Sequence, residues 1–167
     1  MNTVQHIWDV LEAVPDPEIP VVSIRELGIL RDVREGLHGF EIVITPTYSG
    51  CPAMGQITDD IQAALAQHHI LNPRVTTQLA PAWTTDWISP AAKDKLRDYG
   101  IAPPHVAAAP GTQTIRFAPP REARLAVSCP QCGSANTTET SHFGATACKA
   151  LYKCLNCLEP FDYFKPY

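Results

Sequence analysis

The chain has 167 residues, of which 45% are hydrophobic and 18% charged, and its formal net charge at pH 7 is −4. That length suits one domain of ordinary size plus a small one, and the absence of any apolar run of about 18 residues excludes a transmembrane helix. Residues 1–100 carry 7 Lys/Arg against 13 Asp/Glu, and residues 101–167 carry 6 against 4, so neither part has the strongly basic face typical of a nucleic-acid-binding protein.

Hydrophobic spacing in the first part of the chain predicts a helix followed by a hairpin. Apolar residues recur at helical intervals over 3–14, and the three prolines of 15–20 forbid a continuing helix. Residues 23–28 favour one short helical turn, with a serine as its N-cap and a glycine at its end. Residues 29–34 and 40–45 then predict the two strands of a β-hairpin.

The same patterns continue with a second helix and a third strand. Helical spacing returns after residue 52 and is broken by an Asn-Pro pair, after which 74–79 predict a strand. Ser89 as N-cap and Pro90 at the first helical position predict a further short helix that runs to Tyr99. The order α-β-β-α-β predicts an α+β fold, in which helices lie on a small sheet.

The composition changes after this point. Residues 101–124 are rich in alanine and proline, which is typical of a semi-extended linker. We therefore expect an α+β domain over 1–100, a linker over 101–124 and a small, β-rich, zinc-ribbon-like domain over 125–167.

Four cysteines of the last region carry the clearest chemical signal. Cys129 and Cys132 form one C-x-x-C pair, Cys154 and Cys157 form another, and 21 residues separate the pairs. Each turn can direct two thiolates at one ion, so the two turns together predict a tetrahedral S4 metal site of zinc-ribbon type. Structural zinc is the expected metal, and iron or an iron–sulfur cluster is the alternative. With no secretory signal visible, we expect a cytoplasmic protein whose cysteines stay reduced.

A fifth cysteine, Cys51, lies next to the predicted start of the second helix. The helix dipole and free amides there should lower the pKa of the thiol and make it reactive or metal-binding, whereas a lone cysteine often serves as a small buried hydrophobe. Asp16 and Glu18 lie in the proline-rich segment, and Asp16 could simply cap a turn. A cysteine nucleophile with a histidine base is the enzymatic alternative, although the chain lacks a G-x-S-x-G elbow and a phosphate-binding glycine loop.

The sixth cysteine, Cys148, cannot join a site already filled by four ligands. It could be a buried small side chain, a reactive or metal-transferring thiol, or a replacement for one of the four ligands. His142 could also replace a ligand, but we expect it to face solvent or to pack. A nucleic-acid-binding ribbon would need basic and aromatic surface, and only Lys149, Lys153 and Lys165 offer the basic part.

Two segments of the first 80 residues resemble a known family. Asp16-Pro17-Glu18-Ile19-Pro20 with the following 21–28, together with the Thr-x5-Cys-Pro loop that ends at Pro52, is similar to the Fe–S assembly domain of SufT-like proteins and of the eukaryotic cytosolic assembly factor. In the last region, the two C-x-x-C turns, the segment 143–150 and the run 159–164 resemble the PaaD family, the D components of phenylacetyl-CoA epoxidase systems.

The resemblance implies a non-catalytic accessory protein that helps to make or insert an Fe–S cluster or another iron centre. Its clients would be subunits of the epoxidase, either the di-iron oxygenase or the reductase with its Fe–S cluster, and no membrane or nucleic acid is implied. On this interpretation Cys51 is a transient cluster or iron ligand, with Asp16, Glu18 and Cys148 as further candidates. The alternatives are a zinc-ribbon adaptor or nucleic-acid-binding module without cluster chemistry, and an Fe–S electron-transfer component. The oligomeric state stays open.

Overall fold

The computed structural model describes residues 3–37, 39–70, 72–105 and 126–167. The chain divides into two compact units, Met1–Tyr99 and Gly100–Tyr167. The first unit contains helices α1 (Val4–Glu12), α2 (Ala53–Gln67) and α3 (Pro90–Asp98) and strands β1 (Leu30–Gly36), β2 (Gly39–Ile44) and β3 (Arg74–Thr77). The second contains strands β4 (Ile101–Ala102), β5 (Thr137–Ser141), β6 (Lys149–Cys154) and β7 (Pro160–Phe164). The predicted α+β class is confirmed.

The first unit is a three-stranded sheet with helices packed on it. Strand β2 is central, antiparallel to β1 and parallel to β3, so the predicted hairpin and third strand are both present. Helix α2 buries Ile57, Ile61 and Leu65, which lie four residues apart along one stripe. Because α2 follows directly from the loop after β2, the core contacts of this stripe fix the position of that loop.

The segment 23–28 forms the single helical turn that the sequence predicts, with the Leu27 amide donating to the Ser23 carbonyl at 3.0 Å, and its ends are closed as expected. The Ser23 hydroxyl accepts a hydrogen bond from the Glu26 amide (3.1 Å), and the Glu26 carboxylate accepts one from the Ser23 amide (3.0 Å). This reciprocal pair is a capping box. Gly28 ends the segment with φ +73°, a conformation in which side chains with a Cβ are strained.

Helix α3 begins as predicted, with the Ser89 hydroxyl accepting from the Ala92 amide and Pro90 in the first turn. Before it, Trp83 is buried and its indole N–H donates to the Leu27 carbonyl at 2.9 Å. The Arg31 guanidinium lies 3.4 Å from the centroid of the Trp87 ring. These contacts attach the segment between β3 and α3 to the capped turn.

The second unit is a four-stranded sheet in the order β4-β7-β6-β5, mostly antiparallel, with β4 parallel to β7. Tyr152, Phe161 and Tyr163 supply the largest side chains of its small core. Ile101 and Ala102 pair with β7, so the expected linker differs from the structure at its first two residues, which are buried strand. Residues 106–124 of that linker lie outside the described residues.

Across the described ranges, which omit 106–125 and a few single positions, no helix is both long and apolar enough to cross a membrane.

We predict that Gly28→Ala destabilises the first unit by about 2–4 kcal/mol, because the residue would keep a positive φ and its Cβ would lie 2.6 Å from the Trp87 Cβ. All three tryptophans lie within residues 1–99, so urea unfolding followed by tryptophan fluorescence reports on this unit. Gly55→Ala is the matched control, since a Cβ on this residue of α2 meets no atom within 4 Å and should stabilise the helix by up to about 1 kcal/mol. Equal midpoints for the two variants would contradict the prediction.

Candidate functional site

The four cysteines of the second unit converge as the sequence predicts. The sulfurs of Cys129 and Cys157 are 3.7 Å apart, those of Cys132 and Cys154 are 3.6 Å apart, and all four lie within 4.8 Å of one another. Four sulfurs held about 2.3 Å from a central zinc ion would be separated by about 3.8 Å along each edge of a regular tetrahedron. The donor set is therefore close to the size that one ion requires.

Tight turns position each pair. In the first, the Cys129 carbonyl accepts from the Gly133 amide and the Cys129 amide donates to the Ser134 carbonyl, both at 2.9 Å, with Gly133 at φ +74°. In the second, Cys154 ends strand β6 and its amide donates to the Glu159 carbonyl at 3.0 Å. These bonds are made by the backbone, and the first turn also needs a residue that tolerates a positive φ at position 133.

Two contacts join the turns. The Leu155 amide donates to the Asn136 carbonyl (2.8 Å), and the Asn136 side-chain amide donates to the Asn156 side-chain carbonyl (2.9 Å). Cys129 and Cys154 are buried, whereas Cys132 and Cys157 are exposed. Each turn therefore contributes one buried and one exposed cysteine. The site lies at the surface, closed on one side and open on the other.

The electrostatics of the four sulfurs favour a bound cation. The Cys157 amide donates to the Cys154 sulfur at 3.5 Å and, with the Asn156 amide, lowers the pKa of that thiol to about 6. The Glu159 amide acts in the same direction on Cys157, but desolvation and the neighbouring sulfurs raise its pKa to about 12. The Cys154 thiolate is thus favoured over the Cys157 thiolate, and a metal ion among the sulfurs would supply the charge that lets all four ionise.

The geometry distinguishes a single ion from a cluster. In a four-iron cluster each thiolate binds a different iron, which spreads the sulfurs more widely than one shared ion does. The short separations between these four sulfurs fit a mononuclear site. Within the described ranges, these cysteines are the only group of three or more Cys, His, Asp or Glu side chains whose ligand atoms lie close enough to share an ion.

In the first unit, Asp16 organises the proline-rich segment after α1. It is buried, and its Oδ1 accepts from the amides of Glu18 (2.9 Å) and Ile19 (2.8 Å). Its own amide donates to the Val22 carbonyl at 2.9 Å. The turn-capping interpretation of Asp16 is therefore confirmed, and the turn holds Glu18 in place beside it.

Cys51 lies in the loop between β2 and α2, half-buried, with Pro52 as the N-cap residue of the helix. The predicted lowering of its pKa is wrong: burial raises the pKa of the thiol, and the negative charges of Glu18 and Asp16 raise it further. The Ala53 amide and the Thr47 hydroxyl oppose these effects without reversing them. A cysteine at a helix start is not activated when it is also desolvated and faces carboxylates.

Asp16 and Glu18 lie within electrostatic range of Cys51, and the Thr47 side chain, which the sequence analysis did not single out, forms a hydrogen bond with the thiol. Thr47 is buried, and so is Thr45, whose hydroxyl has no hydrogen-bond partner among the described residues. The sequence signal that could have pointed to Thr47 is the Thr-Pro-Thr pattern shortly before Cys51. Threonine hydroxyls near a candidate ligand indicate a polar pocket, because buried polar groups need hydrogen-bond partners.

The remaining candidates of the second unit lie apart from the four sulfurs. Cys148 is buried, with its sulfur 3.0 Å from the Thr146 hydroxyl, and is not a member of the metal-binding group. His142 is exposed, with its ring against Phe143 and its Nδ1 3.4 Å from the Glu139 carboxylate. The expectation that His142 packs or faces solvent is therefore confirmed.

One of the three lysines considered as nucleic-acid contacts is not on the surface. Lys149 is buried, with its amine 3.4 Å from the Asp162 carboxylate. The Lys165 amine donates a hydrogen bond to the His142 carbonyl (3.0 Å) and lies over the Phe143 ring. Lys149 therefore supplies none of the basic surface that nucleic-acid binding would need, whereas Lys153 is exposed.

Comparisons with known proteins agree with this division. Residues 4–69 match the family described as iron–sulfur cluster assembly protein, and residues 116–165 match the PaaD zinc beta ribbon domain. A crystal structure of a domain of unknown function, DUF59, from Bacillus anthracis is 33% identical, with a TM-score of 0.51, and the match covers 56% of this chain and 90% of that one. The Fe–S protein maturation auxiliary factor YitW of Bacillus subtilis (strain 168) is 36% identical over 94 residues, which are 55% of this chain and 91% of that protein.

A more extensive similarity is to a protein of Escherichia coli (strain K12) that is provisionally designated the D component of 1,2-phenylacetyl-CoA epoxidase. The two are 48% identical over 162 residues, which cover 97% of this chain and 92% of that protein. The similarity thus extends over nearly the whole length of both proteins, and the chain belongs to the PaaD family.

Proposed function

We propose that this protein is a non-catalytic accessory factor that assists assembly of an Fe–S cluster or iron centre in a subunit of a phenylacetyl-CoA epoxidase system. The full-length similarity to the Escherichia coli protein carries the link to the epoxidase. The similarity of the first unit to a maturation auxiliary factor carries the link to iron chemistry. The oxygenase and the Fe–S reductase are the proposed partners.

The two parts of the chain have different tasks in this proposal. Residues 125–167 form a recognition module whose fold depends on zinc bound by Cys129, Cys132, Cys154 and Cys157. The small core of three aromatic side chains and their neighbours is too limited to be stable alone, and zinc binding would supply the missing free energy. Met1–Tyr99 are the working part, and strand β4 already belongs to the sheet of the second unit.

Cys51 is the proposed contact with iron in the working part. Its surroundings would hold the thiol protonated in the absence of a cation, since burial and the two carboxylates disfavour a thiolate. An iron ion would reverse that preference, because its positive charge offsets the carboxylates of Asp16 and Glu18. A site that ionises only when metal arrives suits temporary binding better than permanent storage.

The alternatives receive less support from the side chains. A nucleic-acid-binding ribbon would need the basic surface that the buried Lys149 does not provide. An electron-transfer role based on an Fe–S cluster would need a wider spacing than these four sulfurs have, and a single iron ion among them is distinguished from zinc by metal analysis. An adaptor without iron chemistry stays distinguishable by experiment.

We predict about one zinc ion per chain and little iron in protein purified anaerobically, measured by metal and acid-labile sulfide analysis. Cys154→Ser should lose most of the zinc and, by hydrogen exchange, the protection of β5, β6 and β7, because it removes a buried ligand. The tryptophan fluorescence of the first unit should be unchanged.

Cys148→Ser is the matched control for zinc, since this cysteine is in the same unit but outside the four-sulfur group. It should retain the full zinc content. Iron and sulfide in place of zinc, with visible charge-transfer absorption, would instead assign the cluster to the four-cysteine site and favour an electron-transfer or cluster-donor component.

Structural and electrostatic roles of the acidic pair should separate by substitution. Asp16→Ala removes the acceptor of two amide hydrogen bonds and should cost about 1–3 kcal/mol in urea unfolding, whereas Asp16→Asn keeps an acceptor and should cost less. Glu18→Gln should leave stability nearly unchanged and reduce maturation of the client. Full maturation by both Asp16→Asn and Glu18→Gln would show that the carboxylate charges are not used.

Cys51→Ser should fold normally and fail to mature the client. The measurement is the iron and sulfide content of the oxygenase and reductase subunits coexpressed with each variant, together with epoxidase activity. Cys148→Ser provides the comparison, as it also removes one thiol and leaves zinc in place. If the client is fully loaded with iron alongside Cys51→Ser, Cys51 is only structural and the adaptor function is favoured.

A further inference from the structure

Cys148 is a thiol that the proposed function leaves without a defined role, and the segment after β7 lies against it. Its side chain is 4% exposed, and its sulfur is 3.0 Å from the Thr146 hydroxyl. The residue immediately precedes strand β6, so it occupies the edge of the small core and not its centre. A thiol at a core edge is shielded by whatever lies over that edge.

The covering residues are Lys165–Tyr167, which we call the strap. The Lys165 amide donates to the Cys148 carbonyl at 2.9 Å. This bond continues the antiparallel pairing of β6 and β7, in which Lys149 and Phe164 are the last partners, by one further position. The strap therefore begins where the sheet ends and is aligned with Cys148 by the register of the sheet.

Tyr167 extends the cover beyond Lys165. Its hydroxyl donates to the Ala147 carbonyl at 3.0 Å, next to Cys148 in the chain. Burial raises the pKa of this phenol, and the neighbouring Cys148 raises it further, as expected for a ring beside the thiol. At the same time 43% of the residue is exposed, so the outer side of the strap faces solvent.

We propose that the strap is a closure that controls access to the Cys148 thiol: while Tyr167 is hydrogen-bonded to Ala147 the thiol is shielded, and release of Tyr167 exposes it to thiol-reactive molecules. The base of the strap is anchored at Lys165, which has its backbone bond to Cys148, its amine bond to the His142 carbonyl and a position over the Phe143 ring. The tip is partly exposed and lies beyond the last pair of the sheet. Segments of this kind open locally without global unfolding.

The experiment measures alkylation of Cys148 by N-ethylmaleimide in zinc-loaded, full-length protein, with residue-level quantification by mass spectrometry. A Cys51→Ser background leaves Cys148 as the one cysteine outside the four proposed zinc ligands. We expect Tyr167→Ala to react about tenfold faster or more at Cys148, because it loses one hydrogen bond and the cover of the ring. Tyr167→Phe, which keeps the ring and loses the hydroxyl, should show a smaller increase.

Tyr99→Ala is the matched control, a similarly exposed tyrosine (52%) in the first unit. It should not change the rate, and neither tyrosine variant should change the zinc content. A rate in Tyr167→Ala equal to that of the background protein would overturn the proposal. So would a rate that rises steeply with low urea concentrations in every variant, because exposure would then require unfolding of the whole unit.

Discussion

The second unit holds four sulfurs close together, where each thiolate disfavours ionisation of the others. The stability of the unit depends on offsetting this repulsion. Backbone hydrogen bonds within each turn bring the thiols of Cys129, Cys132, Cys154 and Cys157 to the separation that one ion needs, and the neighbouring sulfurs act to raise the pKa of Cys157. Strands β6 and β7 are joined through the second turn, and β5 follows the first, so both turns lie at connections of the sheet. A cation that favours the ionised sulfurs therefore favours the folded sheet as well.

The first unit obeys a different constraint, the capping of buried turns. Asp16 satisfies the amides of Glu18 and Ile19, Ser23 and Glu26 satisfy each other, and Gly28 allows the chain to pass close to Trp87. The turn in which one oxygen of Asp16 accepts two amide hydrogen bonds also places the Asp16 carboxylate charge near Cys51. Structural and chemical roles are thus combined in one residue, which is why substitutions must separate the hydrogen-bond acceptor from the charge.

Much of this structure could be predicted from the sequence, because the relevant signals are local. The stripe of Ile57, Ile61 and Leu65, the Ser89-Pro90 helix start and the two C-x-x-C turns each depend on neighbours within a few residues. The predictions that differ from the structure depend on distant partners. Ile101 and Ala102 form a strand by pairing with β7, which is distant in sequence. Lys149 is buried beside Asp162, whose carboxylate on the adjacent strand offsets the charge of the amine. The raised pKa of Cys51 likewise comes first from burial in the fold and then from carboxylates in a segment more than thirty positions earlier.

The unequal exposure of the four sulfurs also gives the metal site a direction. An ion that approaches from solvent would meet Cys132 and Cys157 first and Cys129 and Cys154 last. A competing chelator would reach the ion from the open side, where one ligand from each turn is exposed while the inner pair is covered. The two inner sulfurs would therefore have the larger influence on the residence time of the metal.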